Sequence, residues 1–359
     1  MAKSSFHDEP YDAGTLTKLK IFEAYVEAWI PVFTSKPEPP FPEIHIFDFF
    51  SGPGTDSNSV AGSPLRILSK LKNYQQEGRL QGWDKVSIHV HLSDSHQGKT
   101  AELASLVKQP AWHIPGINLQ VQTLKFEDAL LRHEAVLRNH RTAKLLIIDP
   151  FGVNNVTDDV FRRLIGFPTT DFIFFVPSAM LNRFRHDPSI KVKIDRPEDT
   201  YDVHRCAFDH FKEIAGRDYF LGRFSIKKPK GNIYGLIFGS RHHLGIHKFL
   251  EVAWGNDVIA GEANFDIDRE NVSEGEMLLA LDELRPKKIQ VFEQELEIAL
   301  QSGVLGNEAD LIRFCIEAGM ISKHCKGVLA RLKARRTMAC EFDSPSIRYF
   351  KNPRTLSLL

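Results

Sequence analysis

IHIFDFFSGPG, residues 44–54, joins an apolar run to a turn built on glycine and proline. The run reads as a strand, and further along LLIID and FIFFV are apolar without alternation, as expected of strands buried on both faces of a parallel sheet. Directly after the turn, SPLRILSKLKNYQQEG (63–78) has the periodicity of a helix. The same alternation continues. VSIHVHLSD (86–94) reads as a second strand, followed by a helix around 98–107, and INLQVQT (117–123) as a third. AKLLIIDPFG (143–152) reads as a fourth, DDVFRRLIGF (158–167) as a helix, DFIFFVPS (171–178) as a fifth and NIYGLIFGS (232–240) as a sixth. Strand–helix alternation of this kind predicts an α/β, Rossmann-like doubly wound sheet.

Outward from this core, residues 15–33 carry Leu16, Leu19, Phe22, Tyr25, Val26 and Trp29 at helical spacing, with Pro31 near the end. A stiff proline-rich loop follows, SKPEPPFPE. A long polar insertion, 182–231, separates the fifth and sixth strands and contains one helical pattern, TYDVHRCAFDHFKEIAG. After 271 the pattern changes. Three helices, KKIQVFEQELEIALQSG, NEADLIRFCIEAG and SKHCKGVLARLKARR, precede a strand-like pair, TMACEF and IRYFKN, joined by DSPS. That order predicts a winged helix-turn-helix domain over 272–359, after a Rossmann-like domain over 1–271. Ser322 reads as the N-cap of the third helix.

Composition excludes several classes. Lys plus Arg and Asp plus Glu both total 46, so any nucleic-acid contact must come from a local patch. Cys206, Cys315, Cys325 and Cys340 lack CxxC spacing, which argues against a zinc ribbon or a disulfide framework. No apolar run approaches a membrane span and no secretory leader is legible, so a cytoplasmic setting without membrane contact is expected. His89 and His91 share a strand face and His242-His243 follow the sixth strand, but no grouping completes a four-ligand set, so no metal is expected. A GxSxG elbow is absent.

In a doubly wound sheet ligands bind beyond the carboxyl ends of strands, where strand order reverses. Two loops lie at such ends. In the first, Asp48 and Ser51 offer polar atoms, and Gly52 and Gly54 let backbone pass close to a ligand; the alternative is a plain strand-to-helix turn. In the second, Asp149, Pro150 and Phe151 suit a planar amine, the carboxylate accepting N–H bonds while the ring stacks; the alternative is an Asp that caps the following helix or fixes its own turn. Asp94, ending the second strand, stands where an acid would bind ribose hydroxyls, and Asp128 where an acid could meet the base; the alternative for each is a solvated loop residue. The last helix carries Lys323, Lys326, Arg331, Lys333, Arg335 and Arg336 without an acid, a patch for phosphate backbone or a face solvated beside acidic helices.

YVEAWIPVF, IFDFFSGPG with GSPLRIL, IIDPFGV, FFVPSAMLNRF and IYGLIFGSRHHLGIHKFLEVAW, in that order, resemble the blocks of the three-Cys-motif partner protein (TcmP) family. The resemblance covers nearly the whole chain, the tail being similar to a winged helix. It implies a fold of the S-adenosylmethionine (SAM) methyltransferase kind and a genomic partner bearing a three-cysteine, radical-SAM-like motif. On that basis the expected cofactor is SAM, held by Asp48, Ser51, Gly52, Gly54, Asp94 and Asp128. Asp149, Pro150 and Phe151 would hold an acceptor amine, and the winged helix would bind nucleic acid. Compared with amino-directed nucleic-acid methyltransferases, Asp149-Pro150 match the fourth-strand motif, Phe151 replaces its second proline and Gly152 takes its aromatic slot. The alternative expectation is a non-catalytic protein of this fold that holds the three-Cys-motif partner.

Overall fold

A computed structural model describes residues 9–150, 157–176, 203–227, 233–257 and 287–358. Helix α1 (Ala13–Thr34) runs continuously through Pro31 and starts on Asp12, whose carboxylate accepts the Thr15 amide at 2.8 Å. The sheet then forms from β1 (Glu43–Asp48), β2 (Ser87–Asp94), β3 (Ile117–Thr123), β4 (Thr142–Ile148), β5 (Thr170–Val176), β6 (Phe220–Lys227) and β7 (Ile233–Ser240). Between them lie α2 (Ser63–Glu77), α3 (Gln97–Val107), α4 (Phe126–Arg132), α5 (Glu134–Leu137), α6 (Asp158–Gly166) and α7 (Val203–Ala215), and α8 (His243–Asn256) follows β7.

The strands lie in the order β3-β2-β1-β4-β5-β7-β6. Strands β1 to β5 are mutually parallel, while β7 runs antiparallel to β5 and β6 on either side. The chain therefore starts in the middle, walks to one edge, and returns to build the other half beside β1. The switch point lies between β1 and β4. This is the Rossmann-like, methyltransferase-type fold expected, with one strand that sequence reading did not find: β6 lies inside the 182–231 insertion.

Period two along each strand divides the core. Ile44, Ile46, Val90, Leu145, Ile147, Phe224 and Phe238 pack with α1, α2 and α8; Phe47, Phe49, Leu146, Ile148, Phe172 and Phe174 pack with α4, α6 and α7. Every residue of β4 is buried, as a central parallel strand requires.

The carboxyl-terminal part holds α9 (Lys287–Gln301), α10 (Glu308–Glu317) and α11 (Lys326–Ala334), with a 3-10 turn at Ser322–Cys325 leading into α11. Asn307 caps α10 by accepting the Ala309 and Asp310 amides. Ser322 is not a cap: the turn's N-cap position is Ile321. Nor are the two final strands TMACEF and IRYFKN. Strand β8 (Met338–Ala339) pairs antiparallel with β9 (Ser357–Leu358), and Ile347–Tyr349 is a 3-10 turn. Residues of α9 to α11 join the α1-side core, and Trp254 Nε1 donates to the Gly319 carbonyl at 2.8 Å. The expected 271/272 boundary falls outside the described residues.

Candidate functional site

Three carboxyl groups approach one another at the switch point. Asp48 ends β1 with no exposed surface. Its Oδ1 accepts the Phe50 amide at 3.2 Å, while Oδ2 is buried with no hydrogen-bond partner among the described residues. Burial is the main reason its carboxyl is pushed up to about 7; the nearby charges of Asp149 and Asp94 add to the rise, and Ser63 and the Phe50 amide pull it back. Asp94 ends β2 and is satisfied by backbone, accepting Gly52 N at 3.2 Å and His96 N at 2.8 Å. It ties the β1 loop to the β2 end. Asp149 follows β4 and faces Lys18, whose Nζ lies 2.6 Å from Oδ2 and 2.7 Å from Oδ1.

The other expected residues divide by what they touch. Ser51 spends both its amide and its hydroxyl on the Ser93 carbonyl, at 2.9 and 3.1 Å. Gly52 and Gly54 both take positive φ, +60° and +100°. At Gly54 an added Cβ would come within 2.9 Å of Leu103 Cδ1, so its missing side chain serves packing against α3. Asp128 stands exposed in the first turn of α4. Pro150 is buried, and Phe151 lies outside the described residues. A cap role for Asp149 is not what the structure shows, since Thr157 caps α6.

Two residues that sequence reading passed over come from the amino-terminal segment. Lys18 lies on the stripe Thr15, Lys18, Phe22, Tyr25 and Trp29, all buried, and its ammonium sits 4.5 Å from the Phe175 ring centre. A lysine on an otherwise buried stripe was the available signal. Tyr11 packs its hydroxyl near Gly62, and its amide donates to Asp56 at 2.7 Å. Burial, then the charges of Asp56, Asp149 and Asp48, raise its phenol well above the ordinary range.

No protein-family model matches the chain, and no curated protein does. Among solved structures it is similar to an rRNA methylase from Streptococcus thermophilus at 9% identity and a TM-score of 0.33, over 63% of this chain and 95% of that one. It is also similar to TYW2 of Pyrococcus horikoshii, solved with MeSAdo, at 11% identity and a TM-score of 0.30, over 64% and 62%. Likeness at this level carries no argument about activity.

Within the six-residue basic set the structure makes a distinction. Arg331 lies 3.2 Å from Glu293 and 3.4 Å from Glu297, Arg335 lies 2.7 Å from Glu297, and Lys333 lies 3.1 Å from Asp343. Lys323, Lys326 and Arg336 are exposed. Half of the expected patch is therefore engaged by acids of α9 and of the segment after β8. No helix among the described residues is long and apolar enough to cross a membrane.

Proposed function

We propose that this chain is a SAM-dependent methyltransferase whose acceptor is a nucleic acid. One observation carries the cofactor reading: the Asp48 carboxyl is buried at the switch point with a bare oxygen and two further acids nearby. Lys18 offsets Asp149 and backbone amides offset Asp94, which leaves Asp48 without a counter-charge. A cationic ligand supplies one. SAM carries an α-ammonium and a sulfonium, and when bound it supplies the methyl group. Asp48 would hold the cationic end, the Gly52–Gly54 turn would border it, and Asp94 would keep that turn in place. Asp149 would face the acceptor with its charge shared by Lys18, so the chain's part in transfer is largely positioning.

Calorimetry with SAM and with S-adenosylhomocysteine tests this. The expected result is micromolar SAM binding that Asp48→Ala weakens at least tenfold, about 1.4 kcal/mol. No heat from the wild-type chain at millimolar SAM would sink the proposal. The acceptor class rests on exposed Lys323, Lys326 and Arg336. A second reading, a protein of this fold that holds a three-Cys-motif partner, is favoured by the acid pairing of the other three basic residues. Stable co-purification with that partner and no methyl transfer to DNA or RNA would select it.

A further inference from the structure

On the face of the sheet opposite Asp48, β1 and β2 gather three imidazoles. His45 stands level with His89 in the parallel register, and His91 follows two residues along on the same face. One ring nitrogen of each can be chosen so that all lie within 4.8 Å of one another. His45 Nδ1 is 3.1 Å from His91 Nε2. Within the cluster His89 Nε2 is buried and bare, while His91 has Gln120 as a further hydrogen-bond partner. His91 is 8% exposed and His45 4%, whereas His89 is half-buried and leaves the cluster a way to solvent. Buried polar atoms without partners are rare in native proteins, and His89 Nε2, in one cluster with the facing pair His45 Nδ1 and His91 Nε2, is such an atom.

Glu43, one step back on the same face of β1, places Oε2 3.5 Å from His45 Nε2. That carboxylate favours the tautomer with its proton on Nε2 and the lone pair on Nδ1, toward His91. A carboxylate behind a histidine is the usual outer support of a metal-bound imidazole. The nearest cation in register, Lys144, turns away, donating to the Asn139 carbonyl at 2.6 Å and the Thr169 hydroxyl at 3.0 Å.

We propose that His45, His89 and His91 form a binding site for one divalent transition-metal ion of the zinc class, with Glu43 behind His45 and one position open to water. Three imidazoles prefer such ions to Mg2+ or Ca2+, which take oxygen ligands. Tetrahedral coordination sets ligand nitrogens about 3.3 Å apart, close to the His45–His91 spacing. The rings stand nearly parallel, 5–11° between planes, while a metal must lie in the plane of each ligand ring. Coordination therefore turns the rings, His89 most readily because it is half-exposed. The site is three residues, about 10 Å of strand, from Asp48 and on the other face, so it is separate from the switch-point crevice.

The test uses the full chain stripped with a chelator and titrated with Co2+. Expected are one equivalent bound, visible d–d absorption without a thiolate charge-transfer band, and displacement by Zn2+ but not by Mg2+. His89→Ala and Glu43→Gln change half-exposed positions and leave the core closed; each should weaken Co2+ binding by about tenfold or more. Absence of stoichiometric uptake would overturn the proposal. So would uptake that His89→Ala leaves unchanged, or a thiolate band, which would place the ion at the adjacent Cys315 and Cys325 instead.

Discussion

Asp48 shows how one residue couples binding to stability. Its folded carboxyl sits near 7, against about 3.8 in an unfolded chain. Between those values the native state holds a proton that the unfolded state has released, so Asp48 makes stability fall as pH rises through that window. A cationic ligand favours the ionised form and moves the other way. SAM affinity should therefore climb between about pH 5 and 7, by up to roughly tenfold per unit, and flatten above. Titration calorimetry across that range checks it; a flat profile would separate Asp48 from the ligand. Asp48→Asn removes the titrating group. It should melt above the wild type at pH 8, lose that advantage near pH 4, and bind SAM poorly at both. Asp48 was legible because an acid before a glycine-rich turn at a strand end is a local pattern. Lys18 was not, since its partner Asp149 is 131 residues away. His45 was missed as a companion of His89 for the same reason: only the parallel register brings them together.

Elements were legible where apolar residues run without interruption or alternate cleanly, as they do even in the edge strand β3, where Ile117, Leu119 and Val121 alternate with polar residues and none is buried. The central strands announce themselves as apolar runs, and β4 is buried throughout. Strand β6 lies at the sheet edge and mixes Phe224 and Ile226 with Arg223 and Ser225, so it resembles its polar surroundings. The end of the chain misled for a different reason. IRYFKN has the β-branched and aromatic residues of a strand, yet its neighbourhood is organised by a buried ion pair that local pattern cannot show. Glu308, with no exposed surface, accepts Arg354 Nε and Nη2 at 2.8 and 2.7 Å and the Ser346 amide at 2.7 Å. Burial alone would raise the Glu308 carboxyl, but Arg354 and the Ser346 amide hold it below the ordinary range. The clasp thus contributes most where Glu308 is ionised and weakens as pH falls toward the carboxylate range. Glu308→Gln should lower Tm by roughly 5 °C at pH 7, with less effect at pH 4, and speed proteolysis after α11. Differential scanning fluorimetry and limited digestion read both; an unchanged Tm would mean the clasp holds nothing together.

At the scale of the whole molecule, charge decides what the carboxyl-terminal part can grip. The chain is neutral overall, with 46 basic and 46 acidic residues, so long-range attraction to a polyanion is weak and local geometry matters. A six-residue basic helix read from sequence would release counterions steeply, with a log–log salt slope of about −5 on duplex DNA. In the fold, Arg331, Lys333 and Arg335 already face Glu297, Glu293 and Asp343. Recruiting them to phosphate means breaking those pairs, which leaves Lys323, Lys326 and Arg336 as the ready contacts. The expected slope is then about −3. Fluorescence anisotropy with a labelled duplex, repeated over a range of salt, measures it directly. Charge reversal at Lys323 and Lys326 should abolish binding, while Lys333→Ala and Arg335→Ala should barely change it. A slope near −5 would mean that the acidic pairs open on binding. No salt-dependent binding at all would remove nucleic acid as the acceptor and leave the protein-partner reading, because exposed cations on a neutral chain grip a polyanion through counterion release and that release is what salt opposes.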